Sequence, residues 1–74
     1  MVEYSVFRMQ WLCSQLAEGW RLEGPAIERA SANARTSTFE FMLRGERGCQ
    51  LLAINDCPEV RRFMQERRID CVLI

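Results

Sequence analysis

The side chains of this chain that can act as nucleophile, acid, base or metal ligand are four cysteines, ten carboxylates, one tyrosine and a few hydroxyls. There is no histidine and no lysine, and all ten basic residues are arginine. Histidine is the commonest acid–base group near neutral pH and the commonest metal ligand. Lysine forms Schiff bases and grips phosphate in P-loops. The cysteines, Cys13, Cys49, Cys57 and Cys71, are spaced by 36, 8 and 14 residues, with no C-x-x-C pair. Such spacing without histidine predicts no zinc site, and the sequence predicts no cofactor and no enzyme. Cys57 is the one candidate reactive thiol. It stands before Pro58 at the expected N-terminus of a helix, where unpaired N–H groups favour thiolate. Asp56 and Glu59 flank it and oppose that shift, so an ordinary capping residue is the competing reading.

The arginines offer a second chemistry, phosphate binding. Arg29 and Arg35 flank one loop, Arg44 and Arg47 frame another, and Arg61 shares a helix face with Arg68, seven residues on. Arg29, Arg35, Arg44, Arg47 and Arg61 are therefore candidate nucleic-acid contacts. Glu28, Glu46, Glu59 and Glu66 are interleaved with them, and the net charge is zero, where a dedicated binder carries a basic excess. Nucleic-acid binding is thus the alternative reading and a paired, solvated surface the simpler one.

The aromatic residues offer a third chemistry, recognition of another protein. Tyr4, Phe7 and Trp11 recur at helical spacing, opposite a stripe of Met9, Leu12 and Leu16. A helix with a core face and a second, aromatic face has more apolar surface than one core needs, and Tyr and Trp are enriched in interface cores. Tyr4, Phe7 and Trp11 are the predicted interface.

The elements that position these groups follow from periodicity. Residues 5–18 read as a helix, with Ser5 as N-cap and Gly19 as stop. Val2, Tyr4 and Val6 also alternate with polar residues, which leaves 2–7 open between strand and helix. A strand starts at Trp20, is interrupted at Gly24-Pro25, and resumes over 26–29. Residues 30–35 read as a loop. Thr36–Arg44 alternates cleanly, with Phe39, Phe41 and Leu43 on one face and Thr38, Glu40, Met42 and Arg44 on the other. Gly45-Glu46-Arg47-Gly48 turns a hairpin into a third strand, Cys49–Ile54, which is apolar on both faces and needs both covered. Pro58 opens a second helix, with either Cys57 as N-cap or Asp56 as N-cap and Glu59 at N3. Val60, Phe63 and Met64 are its buried stripe, and it ends at Ile69-Asp70. The tail Cys71–Ile74 suits a short strand at the sheet edge. The fold class is α+β: a three- to four-stranded, mainly antiparallel sheet with two helices, in the order α-β-β-β-α, within a single domain spanning 1–74.

That order is similar to the double-stranded-RNA-binding domain. The resemblance implies a fold, and the chain departs from it where RNA contact would be made. The family's glycine-proline-histidine loop motif is missing, and its lysine-rich helix start is replaced by Asp56-Cys57-Pro58-Glu59.

A chain of 74 residues buries roughly 60% of its unfolded surface and has a stability of about 4–11 kcal/mol. Binding on its surface is easier to build than a water-excluding active site. No stretch has the roughly 20 apolar residues of a membrane span, and the acidic N-terminus does not read as a signal peptide. The sequence therefore predicts a cytoplasmic, non-catalytic interaction or regulatory module that forms a homodimer or binds a protein partner.

Overall fold

The computed structural model describes residues 2–30 and 37–74, with side chains described from 6 onward. Helix α1 spans Val2–Ala17. Strands β1 (Arg21–Leu22), β2 (Ala26–Ala30), β3 (Ser37–Gly45) and β4 (Gly48–Asn55) follow, then helix α2 (Pro58–Glu66) and strand β5 (Cys71–Leu73). The α+β class and the helix–strands–helix order are as predicted. The sheet differs: it has five strands and is mixed, because β5 runs parallel to β2. The helix also begins earlier than the cap at Ser5 predicts, so 2–7 is helical and not a strand.

Helix α1 buries Met9 and Leu12, and Leu16 packs at the margin of the same core. It stops at Gly19, whose φ of +109° lets the chain reverse. The Gly19 N–H donates to the Leu16 carbonyl and the Trp20 N–H to the Gln15 carbonyl, the paired bonds of a Schellman motif. This reversal swings the Trp20 ring over Gly45. A Cβ on Gly45 would lie 2.8 Å from two atoms of that ring, so any larger residue there must displace the ring.

β1 and β2 behave as one interrupted strand. Both pair antiparallel with β3, at Leu22↔Leu43 and at Ile27↔Glu40. Between them Gly24 takes φ +73°, as expected of a break at Gly24-Pro25. β4 pairs along the other side of β3 through the hairpin, Gly45↔Gly48 to Thr38↔Asn55. The spatial order is β4, β3, then β1 and β2 end to end, then β5 beside β2.

Cys57 occupies the N-cap of α2 with Pro58 following, because proline forces an extended residue before it and suits the first helical turn. The helix ends a turn before the predicted limit, through a second Schellman motif. Ile69 N–H donates to the Met64 carbonyl and Arg68 N–H to the Gln65 carbonyl, with Arg68 in the left-handed region at φ +53°. The motif folds Ile69 back onto the core.

The core lies between the helices and one face of the sheet. Phe39, Phe41, Leu43, Leu52 and Ile54 meet Met9 and Leu12 of α1 and Val60, Phe63 and Met64 of α2. Phe41 and Phe63 make an edge-to-face pair with centroids 5.9 Å apart. On the other face of the sheet no helix is packed among the described residues.

Candidate functional surfaces

The α1 periodicity that buries Met9 and Leu12 turns Phe7 and Trp11 outward. Phe7 is 66% exposed and Trp11 41%. They line an open apolar groove of about 400 Å³ with Arg8 and Leu52. Arg8 fixes one wall, since its guanidinium donates to the Ala53 carbonyl at 2.7 Å and ties α1 to the outer strand. Phe7 and Trp11 thus share one exposed surface, as their spacing predicts. Tyr4 belongs to α1, but its side chain lies outside the described residues.

A second apolar surface is the open face of the sheet, which sequence reasoning did not single out as a site. Met42 and Leu51 are register partners there, 37% and 62% exposed. Val72 of β5, 45% exposed, partners Ile27 on the same face. The alternation of β4, with Leu51 opposite in direction to Leu52, is the signal that pointed to this surface. What pattern alone left open was on which side both helices pack.

Arginine–glutamate pairs border that face. Arg29 Nε donates to Glu40 Oε2 at 2.8 Å. Arg44 Nε contacts both carboxylate oxygens of Glu23, at 2.7 and 2.8 Å. That hydrogen bond holds Glu23 below the usual carboxylate pKa. Arg61 makes a two-bond, side-on pair with Asp56, each bond 2.8 Å, and its hydrogen bonding lowers the Asp56 pKa. Its guanidinium also lies 5.3 Å from the Phe39 ring centre. Arg47 is exposed in the hairpin turn. Arg35 lies outside the described residues. The candidate phosphate contacts do not converge: Arg29, opposite Thr38 in the register, and Arg44 stand about 20 Å apart along β3. Arg61 sits on the helix layer. Three of the four described residues in this set already hold a carboxylate.

The thiols are dispersed. Cys13, Cys49 and Cys71 are exposed, and Cys57 is half-buried. Cys57 makes no side-chain cap bond and packs against the core cluster. Cys71 Sγ lies 3.8 Å from Glu28 Oε1. Partial loss of solvent at its sulfur, and then the Glu28 charge, push its thiol pKa up, which makes it a poorer nucleophile. Among the described residues no three cysteine or carboxylate side chains converge as metal ligands would. No described helix is long and apolar enough to cross a membrane. No protein-family model matches the chain, and comparison with curated proteins and with solved structures finds no similar protein.

Proposed function

We propose that this chain is a non-catalytic protein-interaction or regulatory module that associates with a second copy of itself through the aromatic surface of α1. The observation that carries the reading is the pair Phe7 and Trp11, which stand exposed beside a core that is filled without them. Exposed aromatic side chains grouped over an apolar groove are what a binding surface requires, and closed two-fold dimers are the commonest way to bury such a patch. The dispersed thiols and paired arginines supply no competing centre of chemistry. The cytoplasm is the setting in which four unpaired thiols persist.

Light scattering over a concentration series tests this. Truncating an aromatic anchor typically costs about 2 kcal/mol or more, or roughly 30-fold in Kd. Trp11→Ala lowers the assembled mass and leaves the circular-dichroism spectrum intact. A mass unchanged by Trp11→Ala would overturn the assignment of this surface, and unfolding of the variant would place Trp11 in the core.

A further inference from the structure

We propose that the open face of the sheet is a second interface between copies of the chain, a two-fold contact centred on Met42. β3 turns Glu40, Met42 and Arg44 to this face, at alternate positions about 7 Å apart. The pattern is antisymmetric in charge about Met42, with an acid on one side and a base on the other. Consider a two-fold axis that lies in the interface, passes through Met42 and crosses β3 about 15° from the perpendicular, so that the two copies of β3 cross at about 30°. It sets Met42 of one copy on Met42 of the other, and each Glu40 over the other copy's Arg44. The in-chain pairs then join across the interface. Glu23 lies in the Met42 row, its N–H donating to the Met42 carbonyl, and its carboxylate turns off the axis to Arg44, so that Glu23–Arg44 of one copy continues into Glu40–Arg29 of the other. An axis running along β3 would set Arg44 on Arg44 and is disfavoured by charge.

The middle of the face fits such a contact. Met42 and its register partner Leu51 are exposed and apolar, with charge at the border, as in an interface core with a polar rim. Sheets packed face to face lie about 10 Å apart with strands crossing at about 30°. At 7 Å from the axis, that crossing displaces facing side chains by roughly 4 Å, within the swing of an arginine. The complement of this charge pattern is the pattern itself turned end for end, so the occupant is a second copy and not an unrelated protein. The contact is independent of the α1 surface, which lies on the other layer of the fold.

The experiment uses Trp11→Ala as background, so that the sheet contact acts alone. Phe7→Ser, at a side chain 66% exposed, replaces it should Trp11→Ala unfold. Native mass spectrometry of this background is expected to report a dimer. Adding Arg44→Glu places an acid opposite the other copy's Glu40, and adding Glu40→Arg places a base opposite the other copy's Arg44. Each weakens the dimer by more than about a hundredfold and gives a monomer. An equimolar mixture of the two restores both opposite-charge contacts between copies, leaving only the in-chain pairs with Glu23 and Arg29 broken, and recovers a one-to-one heterodimer. Leu51→Asp, at a side chain 62% exposed, gives a monomer whatever the charge variants do to folding. A monomeric background, a dimer that survives Leu51→Asp, or folded charge variants that stay apart on mixing would each overturn the sheet interface. Failure of the α1 reading shows differently, as an assembled mass that Trp11→Ala leaves at the wild-type value.

Discussion

Leu51 and Leu52 are chain neighbours of the same residue type, yet one is 62% exposed and the other 9%. They mark the two faces of one sheet. On the Leu52 face, α1 and α2 close over Phe39, Phe41 and Leu43, and the burial of each large side chain contributes about 1.5–3 kcal/mol. On the Leu51 face, the chain provides no covering element among the described residues. The difference follows from how the few elements of a short chain are spent. Both helices return to the same side, and the last segment extends the sheet edge as β5 instead of crossing to the other side. A two-layer domain of this kind places its core on one face and leaves the other without a covering helix.

The sharpest contrast is in stability. Phe41→Ala empties the covered face and is expected to cost about 3–5 kcal/mol, a large part of the about 4–11 kcal/mol expected for a domain this size. Leu51→Ser on the open face is expected to change monomer stability by no more than about 0.5 kcal/mol. Urea denaturation at low protein concentration measures both. A loss above about 2 kcal/mol for Leu51→Ser would mean that the face is covered in the monomer and would end the comparison.

A smaller effect sharpens the account of how the covered face is closed at the hairpin end. Gly45→Ala drives a methyl into the Trp20 ring and is expected to cost about 1–3 kcal/mol as overpacking. The tryptophan emission should shift as the ring is displaced. A neutral variant would show that Trp20 does not seat there.

The smallest effect concerns the Asp56–Arg61 pair at the start of α2. Hydrogen bonding from Arg61 lowers the Asp56 pKa in the folded state. The pair therefore stabilises the fold above the unfolded carboxyl pKa of about 3.9, and the gain fades as pH falls through the lowered folded value. Asp56→Asn should be slightly less stable than wild type at pH 7, with the gap closing below about pH 4. Thermal melts at several pH values read this, and a gap that widens in acid would contradict it.

Most of the local structure was legible because its causes are local. Gly19 as a stop, the break at Gly24-Pro25, the Gly45–Gly48 hairpin and Cys57-Pro58 at the start of α2 each depend on the backbone limits of one or two residues. The alternation of Phe39, Phe41 and Leu43 named the buried face of β3. The start of α1 was not legible, because Val2, Tyr4 and Val6 fit a strand period as well as a helix. The parallel partnership of β5 with β2 was not legible either. It joins Cys71–Leu73 to residues more than 40 positions earlier, and three residues carry too little pattern to specify a partner. Of the candidate surfaces, the spacing of Phe7 and Trp11 anticipated their exposure. The apolar alternation of Leu51 signalled a second face that needed cover, but the cover itself depends on where both helices pack, a property of the whole chain.

The central claim is that the surplus apolar surface serves association between copies. Static light scattering of the wild-type chain and Trp11→Ala, from low to high micromolar concentration, tests it most directly. The account predicts a wild-type mass above that of the 8.7 kDa monomer that rises with concentration and falls when Trp11 is truncated. A wild-type chain that stays monomeric to high micromolar concentration would contradict it.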